Sequence, residues 1–332
     1  PNNHDSNYLE QFRQARLIFC CGRGAYEDAM LHDTYQLQNV LLSKAIPAWF
    51  DIWGNDVNHD WDWWKKTNHL LFRKTAVKII RIPSTDSTNS YLKELSNSNK
   101  SLPEGTVVVA TEQTAGRGQA GNYWEAEAGK NLTFSLLLHP HFLSSTQHFL
   151  LSKAVALALA KALEESLSNT VIAGLTRNPL PSIQIKWPND IYINNRKIAG
   201  ILIENDWQAT QITRSIIGIG LNVNQIDFTS DAPNPISIKQ ITGKDTNLDD
   251  LLSEILHHIY TVYEQLKSGK AEAIATAYEQ ALYRKTGFHN YADKNGTFRA
   301  EIQSVSNEGL LHLRTDGGEQ RSYAFKEVKN IL

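Results

Sequence analysis

Two stretches of this 332-residue sequence combine residue types at spacings that could do chemistry. In Thr111–Glu112–Gln113–Thr114–Ala115–Gly116–Arg117–Gly118–Gln119–Ala120–Gly121–Asn122–Tyr123–Trp124, three glycines fall within six residues and an arginine stands between two of them. Backbone N–H groups in such a loop can approach phosphate oxygens while the guanidinium neutralises them. An ordinary turn has the same composition, so this loop alone leaves both readings open. It lacks the Gly-Lys-Ser/Thr ending of a P-loop and opens no βαβ unit of the Rossmann kind. In Ile185–Lys186–Trp187–Pro188–Asn189–Asp190, a lysine at a strand end can place an ammonium in a cleft, and the aspartate four residues on, past a Pro-fixed turn, can meet a divalent metal. An exposed ion pair is the alternative.

The elements that must position these residues follow from apolar periodicity. Strands are expected over Val77–Ile82, Thr106–Thr111, Leu132–Leu138, Ile183–Trp187, Ile198–Glu204 and Ile212–Leu221. Helices are expected over Ser87–Leu95, about His148–Leu167, Leu248–Leu266 and Ala271–Tyr283. Ile191–Ile193, the polar tip Asn194–Asn195–Arg196–Lys197 and Ile198 read as a hairpin, which favours a largely antiparallel sheet. Ser168–Ser182, with Gly174, Pro179 and Pro181, reads as a surface insertion. After residue 286, strand-like runs at Phe298–Val305, Leu310–Arg314 and Arg321–Phe325 alternate with Gly-containing turns and read as a small β-barrel.

Composition narrows the class. Lys and Arg number 33 against 35 Asp and Glu, a formal charge of −2, so nothing draws the whole chain to nucleic acid or to an anionic bilayer. The two cysteines, Cys20 and Cys21, are adjacent and cannot build a disulfide framework or a four-ligand zinc site alone. No stretch approaches the about 18 apolar residues of a membrane helix, and the first thirty residues show no leader pattern. A cytoplasmic protein is expected.

Joined to Ser84–Thr85–Asp86–Ser87–Thr88–Asn89, Arg196–Lys197–Ile198–Ala199–Gly200–Ile201–Leu202 and Gly218–Ile219–Gly220–Leu221–Asn222–Val223–Asn224, the two stretches resemble the biotin protein ligase family in the family's own order, over roughly residues 78–332. The resemblance implies an α+β fold of the class II aminoacyl-tRNA synthetase/biotin ligase type: a mixed, largely antiparallel sheet with flanking helices and an SH3-like C-terminal domain; the periodicity of residues 1–76 adds an N-terminal βαβα fragment ahead of both. The domains would run 1–76, 77–285 and 286–332.

It also implies a two-step reaction. Biotin and ATP give biotinyl-5′-AMP and pyrophosphate; a lysine of a biotin carboxyl carrier protein then takes the biotin. Lys186 is expected to meet the biotin carboxylate and the α-phosphate, with Arg117 as the loop cation and Asp190 as the Mg²⁺ ligand. Ser87, Thr88, Asn89, Gln113, Arg117, Gly118, Gln119 and Lys186 would hold biotin; Gly116, Gly121, Trp124, Asn189 and Asn222 would hold the nucleotide, with Trp124 on the adenine. Ser87 equally suits a helix N-cap. Gly218 and Gly220 would let ligand approach the backbone. Many family members carry basic residues where this chain has Gln119 and Ala120, so a leakier adenylate is expected, by about 1–3 kcal/mol for a lost charge-assisted bond. Partners would be the carrier protein, with no nucleic acid and no membrane, in a monomer or homodimer. The rivals are a lipoate or octanoate ligase, whose Arg-Arg run into three glycines is absent, and an inactive biotin-binding relative, which would have lost Lys186, Arg117 or Asp190.

Residues 1–76 hold five of the eight tryptophans, and their 8 Lys and Arg against 9 Asp and Glu do not suit a DNA-reading domain. Strands are expected at Arg16–Gly22 and Ala48–Trp53, helices at Asp33–Ala45 and Trp61–Phe72. His32–Asp33–Thr34 and Gly54–Trp64 resemble the C-terminal end of an α/β-hydrolase-type esterase, which would make Asp28 and His59 the acid and histidine. No Gly-x-Ser-x-Gly occurs in the chain, so neither has a serine to serve. The segment is expected to be non-catalytic.

Overall fold

A computed structural model describes residues 17–21, 28–44, 46, 48–52, 78–172, 182–229 and 234–331. The chain divides into two units, Pro1–Ala76 and Val77–Leu332. In the first, β1 (Leu17–Cys21) and β2 (Ala48–Ile52) pair in parallel, Leu17 opposite Ala48, and α1 (Asp28–Ser43) connects them. α1 begins five residues ahead of the expected Asp33. The helix expected at Trp61–Phe72 lies outside the described residues, as does His59.

The second unit is built on a seven-stranded sheet. In chain order its elements are β3 (Ile79–Thr85), α2 (Thr88–Ser98), β4 (Val107–Gln113), β5 (Leu132–Leu138), α3 (Phe149–Ile172), β6 (Ile183–Lys186), β7 (Asp190–Ile193), β8 (Arg196–Gln208) and β9 (Gln211–Leu221). Spatial order is β3-β4-β5-β9-β8-β7-β6. Only β3 and β4 pair in parallel, joined by the crossover helix α2; the other neighbours are antiparallel. β5 is central and covered on both faces, so all seven of its residues are buried and its sequence is a near-continuous apolar run.

One sheet face packs Leu92 and Leu102 against Val108, Leu137 and Ile216. The other carries α3, α4 (Ile238–Thr242), α5 (Leu248–Lys267) and α6 (Ala271–Gln280). α5 shows how sequence makes the layer: Leu251, Leu252, Ile255, Leu256, Ile259, Val262, Tyr263 and Leu266 recur every three or four residues and are all buried. Asn247 caps it by accepting the N–H groups of Asp249 and Asp250. α3 passes the expected Leu167 and runs to Ile172, because no helix breaker precedes Gly174; the rest of the expected insertion, 173–181, lies outside the described residues.

The hairpin between β7 and β8 is tighter than the four-residue tip expected. Asn194 (φ 47°) and Asn195 (φ 66°) alone make the turn, both in the left-handed region asparagine tolerates. Arg196 and Lys197 therefore belong to β8, and Lys197 pairs opposite Tyr192.

After α6, Ile185 and residues 281–283 exchange backbone hydrogen bonds that cover the outer edge of β6. Then β10 (His289–Asp293), β11 (Gly296–Val305), β12 (Leu311–Thr315), β13 (Gln320–Tyr323) and β14 (Lys329–Asn330) form a separate antiparallel sheet, ordered β13-β12-β11-β10-β14. It is fastened to the seven-stranded sheet by Trp187, whose indole N–H donates to the Gly309 carbonyl at 3.0 Å, and to the helical layer by Lys153 on α3. Among the described residues no helix is long and apolar enough to cross a membrane.

Candidate active site

A cavity of about 700 Å³ opens where the start of α2, the loop after β4, the β6–β7 turn, β8, β9 and the segment between β13 and β14 converge. Ser87, Thr88 and Asn89 bring buried polar side chains to one wall. Ser87 occupies the N-cap of α2 but makes no side-chain capping bond, so capping does not occupy its hydroxyl. Gln113 ends β4 and accepts through Oε1 from both the Thr88 N–H (2.8 Å) and the Thr88 hydroxyl (3.0 Å). That fixes the amide with its Nε2 on the opposite side. Asn89 is more committed than expected of a ligand contact: Nδ2 donates to Glu204 Oε2 (2.8 Å) and to the Leu202 carbonyl (3.3 Å), and Oδ1 accepts from Ser135 (2.6 Å).

The Gly-rich loop is a small hairpin. Arg117 bridges Tyr123, the Gly118 N–H donates to the Asn122 carbonyl, and residues 119–121 turn the chain. Gly116 and Gly121, expected on the nucleotide side, are not among the residues that line the cavity. Gly116 is needed for packing, since a Cβ there would sit 2.5 Å from the Trp124 carbonyl; Gly121 takes the left-handed φ of 86° that closes the turn.

Trp124 lies on Gly200 and Gly220, which are direct cross-strand partners on β8 and β9. A Cβ on Gly220 would come within 2.3 Å of the indole Cε2, and one on Gly218 within 2.4 Å of Asn89 Oδ1. The two glycines thus make room for Asn89 and Trp124, and both also line the cavity. Gly220→Ala is expected to lift the indole off its platform, an overpacking of about 1–3 kcal/mol. Hydrogen exchange should then quicken in residues 114–124 while β8 and β9 stay protected; unchanged exchange would contradict this packing. Gly200→Ala, whose Cβ would lie 3.2 Å from the ring, should act more weakly. Two buried polar atoms here have no protein partner, Trp124 Nε1 and Gln119 Oε1.

On the far side, Lys186 ends β6 and its Nζ donates to the Tyr192 hydroxyl at 3.0 Å, 4.6 Å from that ring's centroid. Burial pushes its ammonium below the ordinary lysine value; Asp190 opposes the shift, and Lys197 and Arg284 add to it. Asp190 pairs with Lys197 at 2.7 Å, and Lys197 lies 5.5 Å over the Trp124 ring. Asn189 lines the cavity with its amide bonded to the Ile201 carbonyl. Asn222 is buried and is not among the lining residues; its Nδ2 donates to the Ile236 carbonyl at 3.2 Å, and its Oδ1 has no protein partner. No local pattern assigns a role to Lys197, nor to Phe325, Lys326 and Lys329, which the C-terminal sheet brings to the cavity.

The Biotin/lipoate A/B protein ligase family matches residues 81–222. The Bacillus subtilis protein named bifunctional ligase/repressor BirA is 33% identical over 242 residues, 72% of this chain and 70% of that protein. The Paracoccus denitrificans biotin--[acetyl-CoA-carboxylase] ligase is 30% identical over 71% of this chain and 94% of its own length. Among solved structures, the Aquifex aeolicus biotin protein ligase in complex with biotin and ATP superposes with a TM-score of 0.62 at 25% identity, over 76% of this chain and 99% of that one. A shared sheet, shared motifs and coverage of this extent mean that the chain belongs to the biotin protein ligase family.

Proposed function

We propose that this protein is an ATP-dependent biotin protein ligase that forms biotinyl-5′-AMP and transfers biotin to a lysine of a biotin carboxyl carrier protein. One observation carries the reading: a single cavity joins a neutral hydrogen-bonding wall, Ser87, Thr88 and Gln113, to three cations, Arg117, Lys186 and Lys197. A ureido ring is neutral, polar and costly to bury unless every group is hydrogen-bonded, which suits the wall. Attack of a carboxylate oxygen on an α-phosphate brings like charges together and expels pyrophosphate, so catalysis needs cations and positioning.

Lys186 is placed to meet the biotin carboxylate and the α-phosphate, and Lys197, two residues into β8, supplies a second ammonium beside it. Arg117 and Gly118 lie at the junction of the two ligands. Gln119 lines the cavity, and its Oε1, which has no protein partner, can serve a ligand. In the second step the carrier lysine attacks the acyl carbon and AMP leaves.

Mg²⁺ would accompany the triphosphate, neutralising it. Asp190 fits as one carboxylate ligand at the cavity wall. Among the described residues the three groups close enough to share an ion are Glu165, Glu254 and His258, none of which lines the cavity. The ion would therefore be held mostly by phosphate oxygens and water, as is usual for Mg²⁺.

The catalytic domain is proposed to span 77–285, and the five-stranded sheet of 286–332 to be the SH3-like domain. Residues 1–76 are proposed to be non-catalytic, and the compartment the cytoplasm, on the two adjacent cysteines. With Gln119 and Ala120 in place of basic residues, biotinyl-5′-AMP is expected to leave faster than from a basic-loop relative. An equal off-rate in a chase would contradict this. The test of the function is incubation with biotin, Mg-ATP and a carrier domain. A single biotin on one carrier lysine is the expected product; modification by lipoate instead, or none, would overturn the assignment.

A further inference from the structure

Glu204 does not line the cavity, yet its carboxylate is bonded to two residues that do. Arg117 Nη1 donates to Oε1 at 3.2 Å and Arg117 Nη2 to Oε2 at 2.9 Å, a two-pronged pairing, and Asn89 Nδ2 donates to Oε2 at 2.8 Å. Behind Asn89 the chain of bonds continues through Ser135, which is fully buried, to Thr88 and from there to Gln113. Glu204 thus joins the loop cation to the polar wall at the base of α2.

The charge argues for a purpose. A carboxylate beside a site that must accept phosphates repels them unless its lone pairs are taken up, and here three N–H groups from cavity residues take them up. The loop hairpin of residues 116–124 also has few ties to the sheet. Besides the Trp124 ring on its glycine platform, the Arg117–Glu204 pair fastens it to β8, 87 residues away in sequence.

We infer that Glu204 is a positioning residue: through Arg117 it latches the Gly-rich loop and aims the guanidinium, and through Asn89 it fixes the wall that receives the neutral ring. This rests on the ligase reading for its kinetic consequences, but not for the latch itself.

Glu204→Gln and Glu204→Ala separate the two arms. A glutamine oxygen in the place of Oε2 still accepts from Asn89 and from Arg117 Nη2, while its Nε2 turns a donor on Arg117 Nη1, so the Asn89 arm is kept and the Arg117 arm loses one prong and its countercharge. Glu204→Gln should lower kcat for biotin-dependent pyrophosphate release about tenfold with little change in the KM for biotin, as expected for one charge-assisted bond. Glu204→Ala should in addition raise the KM for biotin several-fold. In an Arg117→Ala background, Glu204→Gln should cost nothing further; independent, additive losses would overturn the inference, because a merely structural glutamate would act alike in both backgrounds.

Hydrogen exchange without ligand is the second measurement. Residues 114–124 should exchange about tenfold faster in Glu204→Gln than in the wild type, with β8 and β9 unchanged. Unaltered loop exchange would overturn the latch. If the wild-type chain releases no pyrophosphate with biotin, the ligase reading fails, and loop exchange alone decides for or against Glu204.

Discussion

Lys186→Ala is expected to lower adenylate formation by about 10²–10³-fold, the cost of removing one preorganised charge from a developing oxyanion. The fold should survive, because Lys186 sits at a cavity wall and packs no core. Its surroundings add a pH signature. Burial and the nearby charges of Lys197 and Arg284 hold the ammonium below the ordinary lysine value, so it loses its proton at lower pH than an exposed lysine. The charged form is the useful one. kcat/KM for biotin should therefore fall as pH rises through that depressed value. In Lys186→Arg, which stays charged throughout, this basic limb should vanish although the rate is reduced. Full activity in Lys186→Ala, or an unchanged basic limb in Lys186→Arg, would remove Lys186 from its role.

The second large effect comes from a residue that does not line the cavity. Lys153, on α3, is 1% exposed; its Nζ donates to the Val305 carbonyl at 2.7 Å and to Asn307 Oδ1 at 3.2 Å. It holds the C-terminal sheet against the helical layer, and that sheet carries Phe325, Lys326 and Lys329 to the cavity. Lys153→Ala leaves a void and strips the Val305 carbonyl of this donor, a loss of about 2–4 kcal/mol in urea unfolding. Lys153→Met fills the space and should lose less.

Burial depresses the Lys153 pKa in the folded chain, with Glu279 and Glu308 opposing. The folded state then binds fewer protons than the unfolded one between the depressed value and the ordinary 10.5, so stability should rise with pH across that window. Subtracting the Lys153→Met curve from the wild-type curve isolates this rise. A flat difference would contradict the burial of a charged amine.

Lys153, Glu204 and Lys197 show where sequence reading stopped. The helix start, the Gly-rich loop, the β6–β7 turn and the glycine-spaced strands are local patterns, and the cavity brings together Ser87, Gln113, Arg117, Lys186 and Asp190 from them. Lys153 is the one charged residue between Phe149 and Ala160, and Glu204 ends the apolar run Ile198–Ile203 on an inner strand. Buried or half-buried charges of that kind need partners, and this was the signal available. Neither partner was legible, because Val305 and Arg117 lie 152 and 87 residues away.

Lys197 was hidden by two residues of turn length: read as part of a polar tip it points nowhere, but after a two-residue asparagine turn it stands opposite Tyr192 beside Lys186. β10 escaped because His-Asn-Tyr-Ala-Asp has only Tyr291 fully buried to mark a core face. Asn222 follows the glycine-rich strand, and its Nδ2 is taken by the Ile236 carbonyl, a partner 14 residues on that no local pattern marks.

Pyrophosphate release from Mg-ATP by the full chain, measured with biotin, with lipoate and with neither, tests the central claim most directly, because it needs no carrier protein. Release that depends on biotin, and falls with Lys186→Ala, is the result expected. Release supported by lipoate and not biotin, or none with either acid from a folded sample, would contradict it.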